Sequence, residues 1–341
     1  MNQINLNNKE YDVIIVGAGF SGLYQLICLR DQLGMNCLVV ETGDDVGGTW
    51  YWNRYPGARC DTESHAYSYY FSDELLKEWT WSERYPGHAE IRRYMNFVAD
   101  KFDLKKDILF NHKVTSAQYN EDKICWEITT NNKINFRCRF LITAVGCLSN
   151  ANIPKIEGLE NFKGKYYHTG NWPKNGVSFV GKKVGQIGTG STGIQAVPVI
   201  AEEAKHLTVF QRTANYSVPA RNKPLTENFK IHVKERFKYY RELLKKTPNG
   251  HPFEISDRLV ADVQEQEMQE IYEKAWEKGG LQFRGSFSDL VTNVEANKTA
   301  SDFIKSKINE TVLNKKFAAI LSDIDHPYAG KRPPIDTNYF E

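Results

Sequence analysis

The stretch Tyr11-Asp-Val-Ile-Ile-Val-Gly-Ala-Gly-Phe-Ser-Gly22 decides the fold of this chain. An apolar run directly before a glycine turn is typical of a buried parallel strand. The pattern that follows predicts a helix over 23–33 and a second strand over 37–40. Together these segments make a βαβ unit of about 30 residues. The sequence therefore predicts an α/β fold that begins with a Rossmann-like unit.

The glycine turn of this unit has the spacing of a dinucleotide site. Gly17, Gly19 and Gly22 permit a tight turn and a close approach of the backbone to a pyrophosphate at a helix N-terminus. Glu41 ends the second strand, nineteen residues after Gly22, where a carboxylate can accept hydrogen bonds from ribose hydroxyls. With strand, helix and acid in place, we favour a dinucleotide site over the alternative, a glycine turn without a ligand.

A second βαβ unit covers residues 182–210, with the turn Gly188-Thr-Gly-Ser-Thr-Gly193 after its first strand. Nineteen residues after Gly193 the chain has Arg212 where the first unit has an acid. An arginine there binds a 2′-phosphate that a carboxylate would repel, which favours NADPH over NADH. The alternative is an arginine that merely ends a strand at the surface. Two unlike sites suggest FAD as the resident group and NADPH as the hydride donor.

The composition is that of an ordinary globular protein. The 341 residues are 41% hydrophobic and 25% charged, with a formal net charge of +2. This balance argues against disorder and against a nucleic-acid or anionic-membrane partner. The high aromatic content, 13%, indicates either an aromatic-lined pocket or aromatic cores. Six cysteines without metal-ligand spacing predict no metal site, and no signal peptide or membrane span is visible, so we expect a cytoplasmic protein with free thiols.

Other segments differ in character from the two βαβ units. Residues 43–90 are rich in Gly, Trp, Tyr, Arg and Pro and lack periodicity, and a loop of this length is usually functional. We expect an amphipathic helix over 91–102 and short strands over 108–145. Dense charge and apolar residues at helical spacing predict a mainly helical insertion over 225–320.

The segment Phe162-Lys-Gly-Lys-Tyr-Tyr-His-Thr-Gly-Asn-Trp-Pro173 lies between the two glycine turns. It resembles the fingerprint of Baeyer–Villiger monooxygenases of the phenylacetone and cyclohexanone monooxygenase type. The loop 47–61 and the segments 209–213 and 331–334 are also similar to motifs of that family, in the expected order along the chain. The resemblance implies two Rossmann-like domains, for FAD and NADP, with a mainly helical insertion. Its implied domains follow one another along the chain. They are the N-terminal part of an FAD-binding domain (1–150), the first part of an NADP-binding domain (151–224, with the fingerprint linker at 158–176), the helical insertion (225–320), and a return segment of the NADP domain with a linker toward a C-terminal FAD region (321–341).

The resemblance also implies a reaction. NADPH reduces FAD, O₂ adds to give a flavin C4a-peroxide, and this anion attacks a ketone to yield an ester or lactone. Arg332 matches the active-site arginine, a fixed cation for the peroxyanion, and Asp61 matches the carboxylate that orients it. Outside this context, Asp61 would be part of a surface salt bridge and Arg332 a residue of an exposed turn. We expect a ketone and O₂ as small-molecule partners and a monomer or weak oligomer.

Further positions match cofactor-contacting or linker positions of the family. The FAD positions are Gly17, Gly19, Ser21, Gly22, Glu41, Thr49, Trp50, Tyr51, Trp52, Arg59, Cys60, Asp61, Tyr67 and, through its backbone, Val114. The NADP positions are Gly188, Thr189, Gly190, Ser191, Thr192, Gly193, Ile194, Gln195, Arg212, Thr213, Lys331 and Arg332. The linker positions are Phe162, Gly164, His168, Trp172 and Pro173. For His168 we infer a hinge role between cofactor states, and the alternative is a merely packed histidine.

Three alternatives remain. An N-hydroxylating or sulfur-oxidising flavin monooxygenase shares both units, but its fingerprint ends differently from Trp172-Pro173. A disulfide oxidoreductase needs two closely spaced redox cysteines, and Cys60 has no such neighbour. Family members continue past Glu341 into strands that complete the FAD sheet. We therefore expect an FAD domain that is incomplete at its C-terminus, in a fragment of a longer protein; a truncated, non-catalytic nucleotide-binding chain is the alternative.

Overall fold

Two compact units make up the computed structural model, which describes residues 7–341. Unit 1 consists of residues 7–55 and His88–Gly176, and unit 2 of Pro56–Gly87 and Val177–Glu341. The chain passes from one unit to the other three times, so neither unit is one continuous segment. Residues 1–6, on which the prediction about a signal peptide rests, lie outside the described part of the chain.

The strands form one large sheet in unit 1 and two small sheets in unit 2. The strands are β1 (Lys9–Val16), β2 (Cys37–Val40), β3 (Ile108–Leu109), β4 (Val114–Asn120), β5 (Cys125–Thr130), β6 (Asn135–Thr143), β7 (Lys183–Ile187), β8 (His206–Phe210), β9 (Val218–Pro219) and β10 (Ile335–Asp336). The helices are α1 (Phe20–Leu26), α2 (Thr49–Trp52), α3 (Asp73–Glu78), α4 (His88–Lys101), α5 (Ser191–Glu203), α6 (Glu227–Glu235), α7 (Phe237–Lys246), α8 (Glu265–Lys278), α9 (Val294–Thr311) and α10 (Lys315–Ser322).

The unit 1 sheet has the order β3-β2-β1-β6-β5-β4. Its β1 pairs in parallel with β2 and β6, whereas β4, β5 and β6 form an antiparallel meander. β1 is central because its apolar run can be buried on both faces: Val13, Ile14 and Ile15 are at most 1% exposed. The strand predicted over 37–40 is confirmed, and β1 begins two residues before the predicted position.

The helices of unit 1 differ in detail from the prediction. The segment after the first glycine turn is α-helical only to Leu26 and continues as a π-helix over Ile27–Gln32. α4 begins at His88, three residues earlier than expected.

The segment 43–90 contains two helices that were not expected, α2 in unit 1 and α3 in unit 2. Helices of one or two turns show no usable 3.6-residue periodicity, which is why the sequence pattern missed them. The sequence signal for α3 is instead its N-cap residue, Ser72. Its hydroxyl accepts the Leu75 N–H at 3.2 Å.

Unit 2 contains the second βαβ unit, as predicted. β7 and β8 pair in parallel and α5 connects them. A second short parallel pair joins β9 to β10, with Val218 opposite Ile335. This pairing holds the segment around residues 331–336 beside the one that follows β8, although the two are far apart in sequence.

The segment 225–320 is mainly helical, as predicted, and its aromatic residues form a core. Tyr272 and Phe283 are fully buried and their ring centroids lie 5.2 Å apart. Phe303 from α9 stacks on Phe283 at 5.5 Å. These rings therefore account for part of the high aromatic content by packing.

Several large apolar side chains of unit 1 are exposed. They occupy one stretch that begins in β6 and runs through the fingerprint segment, and each is at least 44% exposed: Phe140, Val145, Leu148, Ile153, Ile156, Phe162 and Tyr166. Within residues 7–341, none of the helices combines the length and the apolar character needed to cross a bilayer.

Candidate active site

The first glycine turn of unit 1 is shaped by close backbone contacts. Gly17 has a φ of +106°, which L side chains rarely adopt. A Cβ on Gly22 would lie 1.9 Å from the Gly17 carbonyl oxygen, so the third glycine is required for the turn itself. A Cβ on Gly19 would meet the Gly48 Cα at 3.4 Å. The turn therefore presents bare backbone, which fits a pyrophosphate group.

Glu41 fastens this turn to the end of β2. Its carboxylate is 5% exposed and accepts the N–H groups of Ala18 and Gly43, each at 2.7 Å. A carboxylate offers about four lone-pair positions, so acceptor capacity remains for ribose hydroxyls. Glu41 therefore fits the predicted role as a ribose ligand. It also stabilises the turn by accepting the two backbone N–H groups.

The loop 47–52 lies against the same turn. The Gly47 N–H donates to the Ala18 carbonyl at 3.1 Å, and α2 begins two residues later. Trp50 and Tyr51 of α2 are buried, whereas Thr49 is exposed. Ser21 is exposed and Trp52 half-buried. The expected FAD positions of residues 17–52 are thus brought together around one backbone cradle.

Val114 begins β4 and packs against the buried cluster of β1 and β2. In contrast, Arg59, Cys60, Asp61 and Tyr67 belong to unit 2.

The fingerprint segment closes unit 1. Trp172 is buried and packs on Tyr167 with a centroid distance of 5.6 Å, while Phe162 is 59% exposed. His168 is half-buried, and its Nδ1 accepts the Gly170 N–H at 3.1 Å, which caps a short 3₁₀ turn. This geometry gives His168 a local structural contact. Lys174, directly after Trp172-Pro173, forms an ion pair with Asp44.

The second glycine turn, in unit 2, repeats the first. Gly188 has a φ of +99°, and a Cβ on Gly193 would lie 2.3 Å from the Gly188 carbonyl oxygen. A Cβ on Gly190 would meet nothing within 4 Å, so this glycine leaves open space at the start of α5. Gln186 braces the turn by donating its amide Nε2–H to the Gly193 carbonyl at 2.9 Å. Its Oε1 is buried without a hydrogen-bond partner in the described residues.

Two exposed cations belong to the segments that β9 and β10 hold together. Neither Arg212 nor Lys331 makes a hydrogen bond or ion pair with the residues that the structure describes. Asn215, three residues after Arg212, donates its Nδ2–H to the Arg332 carbonyl at 3.1 Å. The two predicted 2′-phosphate ligands thus lie on adjoining segments and are unpaired, which fits an anionic ligand.

Asp61 and Arg332 meet across 271 residues of sequence, with Nη2 of the arginine 3.4 Å from Oδ2 of the carboxylate. The Asp61 side chain is 10% exposed and the Arg332 side chain 73% exposed. Gln195 donates to the other oxygen, Oδ1, at 3.0 Å. Burial raises the pKa of Asp61, and Arg332 together with hydrogen bonds from Ser191 and Gln195 opposes that rise.

The cysteine beside Asp61 is a structural thiol. Cys60 is 5% exposed, and burial raises its pKa to about 12. A thiol that stays protonated at neutral pH is a poor redox nucleophile, which disfavours the disulfide oxidoreductase alternative.

The neighbours of Cys60 are also held in place. Arg59 lies 3.6 Å from Glu83, and the Tyr67 N–H donates to the Glu63 carbonyl at 3.1 Å.

Two contributors, Gln186 and Asn215, were missed as site residues by sequence reasoning. Gln186 carried a signal, since it is a polar residue inside an otherwise apolar strand. Asn215 carried none, because its role depends on the pairing of β9 with β10.

The chain belongs to the flavin-binding monooxygenase-like family, whose family model matches residues 10–278. It is 45% identical over 336 residues to a cyclohexanone 1,2-monooxygenase of Acinetobacter sp, which covers 97% of this chain and 61% of that protein. It is 40% identical over 340 residues to the phenazine N-monooxygenase PhzNO1 of Lysobacter antibioticus, covering 99% of this chain and 62% of that protein. Among solved structures it is similar to OTEMO in complex with FAD and NADP, with a TM-score of 0.93 and 42% identity over 98% of this chain and 64% of that chain. The chain thus spans about three fifths of the length of the curated relatives it matches.

Proposed function

We propose that this chain is the dinucleotide-binding part of an FAD- and NADPH-dependent Baeyer–Villiger monooxygenase, which inserts one oxygen atom of O₂ next to a ketone carbonyl to give an ester or lactone. The observation that carries the proposal is the Asp61–Arg332 pair in the unit that holds the second glycine turn. Several relatives are named as ketone monooxygenases, and this supports the same reaction here.

Unit 1 would hold FAD. The bare backbone of its glycine turn suits the pyrophosphate, and Glu41 suits an adenosine ribose that carries no 2′-phosphate. When bound, FAD supplies the redox chemistry that accepts a hydride and activates O₂. The solved complex of OTEMO with FAD and NADP supports this pair of cofactors.

Unit 2 would hold NADPH. The pyrophosphate would lie on the turn 188–193, where Gly190 leaves room for it. Arg212 and Lys331 would bind the 2′-phosphate, because both are cations without an internal partner in the described residues. The unpartnered Oε1 of Gln186 offers a buried acceptor close to the same turn.

Arg332 would supply a permanent positive charge to an anionic reactant. A guanidinium stays protonated at any working pH, and the exposed end of this side chain is free to meet a ligand. Asp61 orients the guanidinium from its buried side. An electrostatic group fixed in this way can stabilise developing negative charge without reorganising.

The substitution Arg332→Ala tests the proposal. In the FAD-loaded holoenzyme we expect NADPH-dependent bleaching of the flavin to persist, while conversion of cyclohexanone to its lactone falls by at least about 100-fold. Stopped-flow absorbance and gas chromatography measure the two steps. Arg93→Ala is the matched control, because Arg93 is an exposed residue of α4 in unit 1. If the wild-type enzyme oxidises NADPH but oxygenates no ketone, the proposed function is wrong.

A second candidate function is N-oxidation of a heteroaromatic amine. It is favoured by one observation, the 40% identity to the phenazine N-monooxygenase. Assaying phenazine beside cyclohexanone distinguishes the two, since N-oxide formation with no lactone would favour the second. The monomeric or weakly oligomeric state and the cytoplasmic location stay predictions.

A further inference from the structure

Gln195 contacts Asp61 from the first turns of α5. Its side chain is 4% exposed, and its Nε2 donates to Asp61 Oδ1 at 3.0 Å and to the Arg59 carbonyl at 3.2 Å. The Arg59 N–H approaches its Oε1 at 3.4 Å. One buried amide therefore engages both the backbone before Asp61 and the carboxylate itself.

The segment before Asp61 is docked tightly on the same helix. Gly57 has a φ of +76°, and a Cβ there would lie 2.2 Å from the Gln195 carbonyl oxygen. Backbone that approaches this closely leaves no room for the segment to rotate. This backbone contact and the hydrogen bonds of the Gln195 amide to Arg59 and Asp61 together hold the side chain next to Asp61.

We propose that Gln195 is a positioning residue that keeps Asp61 ionised and aimed at Arg332. The inference rests on the proposed function, in which Asp61 orients the catalytic arginine. Gln195 lies two residues after Gly193, so the group that holds Asp61 stands on the helix that the nucleotide-binding turn opens. The amide would thereby link the nucleotide site to the reacting arginine within one unit.

The effect of Gln195 on the ionisation of Asp61 can be measured through the pH dependence of lactone formation, given the groups around Asp61. Arg332 faces it at 3.4 Å and Ser191 donates from α5. From its own segment come Cys60, whose thiol stays neutral, and Arg59, which is paired with Glu83. Tyr85 interacts with it electrostatically from the segment that precedes α4, and burial, the largest cause, keeps this phenol protonated by raising its pKa. Among these groups, Asp61 is therefore the carboxylic acid whose pKa would rise further on loss of the Gln195 donor.

Gln195→Met keeps the side-chain length and removes the hydrogen bonds. A hydrogen bond donated to a carboxylate favours its ionised form, so its loss raises the pKa of Asp61. We expect the acid limb of lactone formation to move up by about one pH unit, so that on this limb the lactone formed per NADPH oxidised falls about 10-fold at a given pH. The KM for NADPH should change less than the lactone yield, since the turn 188–193 is intact and the Gln195 amide donates to Arg59 and Asp61.

Gln195→Glu should respond to pH in the opposite sense. Two adjacent carboxylates share one proton at moderately acidic pH, and the shared proton restores a donor to Asp61. Lactone formation by this variant should therefore rise as the pH is lowered from 8, whereas that of Gln195→Met falls. A purely structural role would lower both profiles without changing their shape.

Gln269→Met is the matched control, because Gln269 is an exposed residue of α8 in the same unit. Its profile should coincide with the wild-type profile. Wild-type profiles and wild-type lactone yields in both Gln195 variants would overturn the inference and leave the proposed function standing. If the pH profiles of lactone formation were lowered equally in Gln195→Met and Gln195→Glu, with no change of shape, the inference would also be overturned. A wild-type enzyme that makes no lactone would instead contradict the proposed function.

Discussion

Asp61 lies almost buried next to one exposed arginine, and burial is the largest influence on its pKa, which is raised. An acid whose folded pKa lies above its unfolded value binds its proton more tightly in the native state. The native state therefore loses stability as the pH rises through the folded pKa of Asp61. The ionised side chain that the reaction would need is a destabilising one.

We expect Asp61→Asn to raise the Tm at pH 8 while lactone formation is lost. A gain of about 1 kcal/mol would appear as about 2–4 °C in a unit of this size. The difference between the variant and the wild type should vanish as the pH falls below the ordinary value of 3.8, where both side chains are neutral. Differential scanning calorimetry at several pH values measures it. A wild type that is more stable than the variant at pH 8 would contradict this account.

At the residue scale, individual site residues can be selected from the sequence more readily than the residues they contact. Glu41 and Arg212 could be selected because they stand at a fixed distance from a glycine turn. The pairing of Asp61 with Arg332 came only from resemblance, since no local rule connects residues 271 positions apart. The contact of Gln195 with Asp61 depends on the docking of the segment 57–61 and leaves no trace in composition.

At the scale of elements, the two glycine turns show how one motif combines two demands. In each turn the last glycine is required by packing against the first. The middle glycine of the second turn, Gly190, meets nothing and instead leaves space. We therefore propose that stability and nucleotide binding depend on different glycines of the second turn.

Gly193→Ala and Gly190→Ala should separate these demands. The first places a methyl group 2.3 Å from a backbone oxygen, so we expect a loss of about 2 kcal/mol or more in the free energy of unfolding. The second should change that free energy by less than about 1 kcal/mol but weaken NADPH binding, because its methyl group enters the space for the pyrophosphate. Chemical denaturation and NADPH titration measure the two quantities. Equal destabilisation by both substitutions would contradict the assignment.

The elements that the sequence predicts well are those with strong local patterns. β2, β7 and β8 follow from apolar runs beside glycine turns, and the insertion follows from helical periodicity. The short helices α2 and α3 were missed because one or two turns show no period. The pairing of β9 with β10 was missed because two-residue strands carry no pattern, yet it holds Arg332 in place.

At the scale of the whole molecule, unit 1 has several exposed apolar side chains within one stretch of sequence, residues 140–166. We expect the 341-residue chain, expressed by itself, to bind the dye ANS, and Leu148→Ser together with Phe162→Ser to reduce its fluorescence. Val294→Ser is the control, because Val294 is 82% exposed but lies in unit 2, outside this stretch. Fluorescence that does not respond to the unit 1 substitutions would show that the stretch 140–166 is not the binding surface.

The discontinuity of both units has a consequence for biosynthesis. The segment 56–87, which carries Asp61, leaves the ribosome early but belongs to a unit whose remainder begins at residue 177. At about 5–20 residues per second, Asp61 waits on the order of tens of seconds before Arg332 is made. During that interval the segment 56–87 has been synthesised but lacks the residues it packs against. We therefore expect chaperones and proteases to act on the growing polypeptide at this segment.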